Sequence, residues 1–98
     1  MIIKEINEGT KIAYEVAGDK IFFGDDELML NLSKYERDTD IVIDICTDDE
    51  KILIAGLSKY FVANILIPAR KYVDEQPAPF TMDSVELSLW ALVESEGE

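Results

Sequence analysis

The sequence contains no histidine and a single cysteine, Cys46, among its 98 residues. Imidazole is the commonest general base, so its absence excludes serine or cysteine nucleophiles that depend on histidine. One cysteine cannot form an intramolecular disulfide, which excludes a disulfide-stapled secreted scaffold. Cys46 ends an apolar segment and has acidic neighbours, so we interpret it as a small packing residue rather than a nucleophile.

Basic residues are few: the chain has 9 Lys and Arg against 21 Asp and Glu, a net charge of -12. Such a charge repels phosphate backbones and anionic lipids, so we predict no direct binding to nucleic acid or to a membrane surface. It attracts basic partners instead. The sequence also has no apolar run of membrane-spanning length and no secretion signal after Met1, so we expect a cytoplasmic protein.

What the chain does have is enough apolar material for one core. Hydrophobic residues make up 48% of the sequence, and a chain of this length fits one ordinary domain. We therefore predict a single compact domain over residues 1–93. The last five residues, 94–98, are polar and acidic, and we predict a disordered tail there.

Apolar and polar residues alternate with a period of two in four segments, and three others are predicted as strands from aromatic or β-branched residues or as the partner in a hairpin. These patterns predict seven strands. They lie near residues 2–7, 10–17, 20–23, 41–46, 51–55, 60–67 and 85–93. Glu8 and Gly9 predict a tight turn that joins the first two strands into a hairpin, and the polar residues 47–50 predict a second hairpin. A helix that begins at Ser58 competes with the strand over 60–67, but it would contain Pro68, so the strand is favoured.

One segment has helical spacing instead. An acidic cluster over residues 25–27 precedes Leu28, Met29, Leu32 and Tyr35, which fall on one helical face. This predicts a short helix near residues 26–36. The expected fold class is therefore α+β, mostly antiparallel, with a sheet that curls into a barrel or splits into a sandwich.

The acidic residues suggest little specific chemistry. Paired carboxylates can hydrolyse glycosides, but that reaction needs a large cleft that so short a chain seldom builds. The clusters over 25–27 and 48–50 lack the alternating Asp spacing of a calcium loop, and no glycine-rich phosphate loop is present. We predict no catalytic activity, no cofactor and no metal site.

Two features suggest contacts with another protein. Trp90 shares a strand face with Glu86 and Ser88, so its ring is either exposed for binding or covered by the predicted helix. The segment 70–82 is rich in proline and presents Arg70, Tyr72 and Phe80. A loop of this length is usually either functional or disordered.

These features favour a non-catalytic protein-binding or assembly protein, an accessory or structural subunit that contacts a protein partner or copies of itself. An alternative is an acidic inhibitor that mimics DNA and binds a basic partner. A third is a small carboxylate-based enzyme or metal sensor.

Overall fold

The computed structural model describes residues 1–24, 26–50 and 52–92. Strands hold 47% of these residues and helical turns 8%, and no helix reaches seven residues. The protein is therefore mostly β, and the predicted α+β class is wrong. The strands are β1 (Ile2–Glu5), β2 (Tyr14–Ala17), β3 (Lys20–Phe23), β4 (Leu28–Asn31), β5 (Ile41–Thr47), β6 (Leu53–Ala55), β7 (Tyr60–Ile67), β8 (Tyr72–Val73), β9 (Gln76–Pro77) and β10 (Glu86–Leu89). Two 3-10 turns span Leu32–Tyr35 and Met82–Ser84.

The strands form three sheets. A five-stranded sheet has the order β1-β10-β7-β5-β6, a three-stranded sheet has the order β2-β3-β4, and β8 pairs with β9. All neighbours are antiparallel except β1, which runs parallel to β10. The predicted hairpin between β5 and β6 is confirmed.

The predicted hairpin between the first two strands is wrong. β1 bonds to the last strand instead, and the segment that follows it continues along the same neighbour. The Ile6 N–H donates to the Leu89 carbonyl over 2.8 Å, and the Leu92 N–H donates to the Thr10 carbonyl over 2.7 Å. These hydrogen bonds give backbone groups on both sides of Gly9 the partners that a hairpin would have supplied.

The predicted helix near residues 26–36 is also wrong, because residues 28–31 form β4 and pair with β3. Leu28 lies opposite Phe23 and Leu30 lies opposite Ile21. Leu30 is 5% exposed and Met29 is 47% exposed, as alternation along a strand requires. The preceding residues form a hairpin loop in which Gly24 and Asp26 have φ values of +68° and +63°, incompatible with a right-handed helix.

The five-stranded and three-stranded sheets bury one hydrophobic cluster. The buried cluster consists of Ile21, Phe23, Leu30, Leu32, Ile45, Val62, Ala63, Ile65, Ile67, Val85, Leu87 and Leu89. Members come from both sheets, so the core lies between two β layers.

The segment 70–82, predicted as a loop, contains the hairpin of β8 and β9 and the start of the second 3-10 turn. Asp74 and Glu75 form its turn with φ values of +52° and +66°. The predicted tail over residues 94–98 lies outside the described residues, and the single domain over 1–93 stays a prediction.

Candidate protein-binding surface

The five-stranded sheet has one face on the core and one face away from it. Leu87, Ile65 and Ile43 lie side by side across three strands on the core face, and the residues between them point the other way. We call this second side the outer face. It comprises Ile2, Lys4, Ile6, Glu86, Ser88, Trp90, Leu66, Asn64, Phe61, Val42, Asp44, Cys46 and Ile54.

The pairing register arranges the outer face in three rows that cross the strands. The first row contains Ile2, Glu86, Leu66 and Val42. Val42 is 58% exposed and Ile2 is 46% exposed. Three of the four side chains in this row are therefore aliphatic, and the two at its ends are open to solvent.

The middle row is polar and contains Lys4, Ser88, Asn64 and Asp44. Asn64 Nδ2 donates to Asp44 Oδ1 over 2.8 Å, and Asn64 Oδ1 accepts from Trp90 Nε1 over 2.5 Å. At the other end, Lys4 Nζ lies 2.8 Å from Glu86 Oε1. The Asn64 side chain thus links the middle row to the third row.

The third row is apolar and aromatic. The hydrogen bond from Ile6 to the Leu89 carbonyl extends the register of β1 by one residue and brings Ile6 in line with Trp90. The Trp90 ring stacks on Phe61 with centroids 5.4 Å apart and planes 25° apart. Cys46, which is buried, lies opposite Phe61 and Ile54. Trp90 is partly buried in this row, whereas Phe61 and Ile6 are exposed.

An antiparallel sheet with a solvated side usually carries polar residues there. The outer face instead carries two apolar rows that flank one polar row. Contiguous exposed apolar groups rimmed by polar ones mark interaction surfaces, and tryptophan is enriched among the residues that dominate binding energy. The arrangement is suited to contact with another protein.

The structure brings two of the four predicted contact residues, Arg70 and Tyr72, together at the end of the sheet away from Trp90. Arg70 follows β7, whereas Trp90 bonds to Val62 near the start of that strand. Arg70 Nη1 lies 3.1 Å from Asp38 Oδ1, and the Tyr72 hydroxyl donates to the same oxygen over 2.7 Å. A contact between Arg70 and the Tyr72 hydroxyl, and then the carboxylates Asp38 and Glu36, raise the pKa of Arg70. Arg70 and Tyr72 therefore fasten the connection between β4 and β5 to the start of β8.

Phe80, the fourth predicted contact residue, packs against the core cluster and is partly buried. It also lines a cleft of about 110 Å³ together with Glu36, Pro68, Lys71 and Pro79. Sites for metabolites are commonly a few hundred Å³ or larger, so this cleft has room for a single small group only.

The acidic cluster over residues 48–50 has structural partners. Asp48 Oδ1 accepts from the N–H groups of Glu50 and Ile52, and Asp49 Oδ2 lies 2.5 Å from Lys59 Nζ. This ion pair lowers the pKa of Asp49 and raises that of Lys59. Within the described residues, no three side chains of His, Cys, Asp or Glu gather as a ligand set for a metal. The other cluster includes Asp25, which lies outside those residues.

Sequence reasoning missed the residues that surround Trp90. The sequence predicts Phe61 and Asn64 only as parts of a strand, and it predicts Ile6 in a hairpin that does not form. The alternation of β7 does place Asn64 and Leu66 on one side. The sequence does not predict that these residues pair with β10, because local periodicity does not specify the register between strands that are distant in the chain.

No protein-family model matches the chain, and no curated protein or solved structure matches it either. Among the described residues, no helix is long and apolar enough to cross a membrane. The fold and the site define a class of two-layer β protein whose larger sheet has two apolar rows on the face away from the core.

Proposed function

We propose that this protein is a non-catalytic protein-binding or assembly subunit and that the outer face is its contact surface. One observation carries the proposal: two apolar rows lie on the side of the sheet that faces away from the core cluster. Val42, Ile2 and Phe61 are each more than two-fifths exposed there.

The size of the surface supports specific but modest binding. With strands about 4.8 Å apart and successive rows two residues, about 6.6 Å, apart, three rows across four strands span roughly 400 Å². Covering the apolar part of this surface favours binding by about 25 cal/mol per Å², before the costs of association are subtracted.

The middle row gives the surface its selectivity. Asn64 has both ends of its amide engaged, by Trp90 and by Asp44, so it presents a fixed polar pattern between the apolar rows. A partner that covers this row without a group to match Asp44 leaves a carboxylate desolvated, which is costly. Partners with a cation at this position are favoured.

A matched pair of substitutions tests the proposal. Val42→Asp places a charge in the first row, whereas Val73→Asp places it on β8, at a valine that is 63% exposed and off the outer face. We expect Val42→Asp to abolish partner capture from lysate of the source cell, or self-association measured as molar mass, while Val73→Asp retains both. Equal behaviour of the two variants would overturn the proposal.

The alternative of a DNA mimic stays a prediction, as does that of a carboxylate enzyme or metal sensor. A DNA mimic needs acidic groups spread along one surface, and the outer face contributes only Asp44 and Glu86, the second paired with Lys4. Competition with DNA for a basic partner, lost when Asp25, Asp26, Asp48 and Asp49 are neutralised, would favour mimicry.

A further inference from the structure

The two ends of the middle row carry opposite charges. Lys4 lies on β1 and Asp44 lies on β5, with Ser88 on β10 and Asn64 on β7 between them. Lys4 is 56% exposed despite its contact with Glu86, and Asp44 makes no ion pair with another described residue. The middle row therefore runs across four strands from a positive side chain at one end to a negative side chain at the other.

This order of charges is self-complementary. A two-fold axis that runs parallel to the strands, midway between β10 and β7, exchanges β1 with β5 and β10 with β7. Two copies related by such an axis present the same surface to each other, the isologous contact of a two-fold dimer. We propose that a second copy of this chain packs on the outer face, sheet against sheet, about this axis.

The middle and third rows then meet their own counterparts in a compatible way, whereas in the first row Glu86 of each copy faces Leu66 of the other. Lys4 of each copy faces Asp44 of the other, and Ser88 faces Asn64. In the third row, Trp90 of each copy faces Phe61 of the other, which gives four aromatic rings at the interface. Stacked sheets lie about 10 Å apart, a separation that interdigitated side chains of this size fill.

The magnitudes predict a weak, reversible dimer. Roughly 400 Å² of flat surface on each copy is below the standard size of about 800 Å² per partner for specific interfaces. Each copy also carries a net charge of -12, so the copies repel at long range. We therefore expect monomer in dilute solution and dimer at high concentration, with the two Lys4–Asp44 contacts setting the register.

Exchanging the two charges tests this dimer. The dimer rests on the proposed function, in which the outer face is the contact surface. Lys4→Glu sets like charges against each other between the copies, and so does Asp44→Lys. The double variant restores opposite charges. Within one copy the two positions are three strand spacings apart, about 14 Å, so a rescue in the double variant comes from contact between copies.

Sedimentation equilibrium of the full chain from about 1 µM to about 1 mM covers the range of weak interfaces. We expect each single variant to weaken dimerisation about tenfold or more, and the double variant to return to within about threefold of the parent. Lys34→Glu and Glu15→Lys change the net charge equally at exposed positions off the outer face, and both should leave dimerisation within about threefold of the parent.

A parent chain that remains monomeric at every concentration would overturn this dimer, as would a double variant no better than the singles. If the parent stays monomeric but Val42→Asp loses a partner that the parent captures, the dimer is wrong and the proposed function still holds. If Asp44→Lys unfolds, the neutral variants Lys4→Gln and Asp44→Asn serve instead. Each should weaken the dimer. If either variant dimerises as well as the parent, the proposal is wrong.

Discussion

A β-carbon at Gly9 would lie only 2.7 Å from the β-carbon of Ala91. Gly9 belongs to the segment that follows β1 and runs beside the end of β10. On either side of it, Asn7 Oδ1 accepts from the Ala91 N–H and the Thr10 carbonyl accepts from the Leu92 N–H, each over 2.7 Å. Because Gly9 has no side chain, the segment after β1 can approach Ala91 closely, and this contact fixes the residues that directly follow Trp90.

This relationship predicts that Gly9→Ala is more destabilising than Gly56→Ala. Both glycines have positive φ, +132° and +145°, so both substitutions strain the backbone. A β-carbon at Gly56 meets no atom within 4 Å, whereas at Gly9 it collides with Ala91. We expect Gly9→Ala to lower the free energy of unfolding by roughly 1–3 kcal/mol more, measured by urea unfolding followed by circular dichroism and by Trp90 fluorescence. Equal losses would contradict the close approach.

Leu30 and Met29 give a direct test of the strand that replaces the predicted helix. Leu30 is buried against the core and Met29 points to solvent. Leu30→Ala should therefore lower the free energy of unfolding by roughly 2–5 kcal/mol, as other core truncations do. Met29→Ala should change it by less than about 0.5 kcal/mol. A helix would bury Met29 beside Leu28 and Leu32. A larger loss in the free energy of unfolding for Met29→Ala than for Leu30→Ala would therefore favour a helix over β4.

The same residues show how far sequence reasoning reaches in this fold. Local patterns predict the positions of β3, β5 and β7. The segments of β3 and β7 are rich in aromatic or β-branched residues and end at a clear break, and the segment of β5 alternates with a period of two. Leu28, Leu30 and Leu32 also alternate, but Met29 fills the gap and produces helical spacing as well. The pairing of β4 with β3 decides between the two patterns, and this pairing is a tertiary contact.

The candidate surface was predictable only in part. Trp90 stood out from the sequence because its strand face was the less apolar one. Its neighbours on the outer face come from β1 and β7, which lie far from it in the chain, and β1 is parallel to β10 where a hairpin was expected. Arg70 and Tyr72 were predicted as contacts with a partner, but their contacts with Asp38 were not predictable because the loop from 36 to 40 has no periodic pattern.

The ion pair of Asp49 and Lys59 predicts a pH dependence that differs in sign between its two members. Its hydrogen bond lowers the pKa of Asp49, so this contribution is present above the pKa of the unfolded carboxyl and is lost as pH falls through the lowered value. The pKa of Lys59 is raised, so its contribution is present below the unfolded pKa and is lost as pH rises through the raised value. Both side chains are about 60% exposed, so the effect on stability is small.

Removing the cation isolates this interaction. In Lys59→Ala, the pKa of Asp49 should rise toward the ordinary value of an aspartate, because the hydrogen bond and the charge that favour the carboxylate are both removed. The measurement is a titration of the Asp49 carboxyl carbon by nuclear magnetic resonance, at low and at high salt. Salt should shrink the difference between parent and variant, since an exposed pair is screened. Lys34→Ala removes a lysine elsewhere and should leave the Asp49 titration unchanged; a shift in both variants would mean that Asp49 responds to net charge rather than to Lys59.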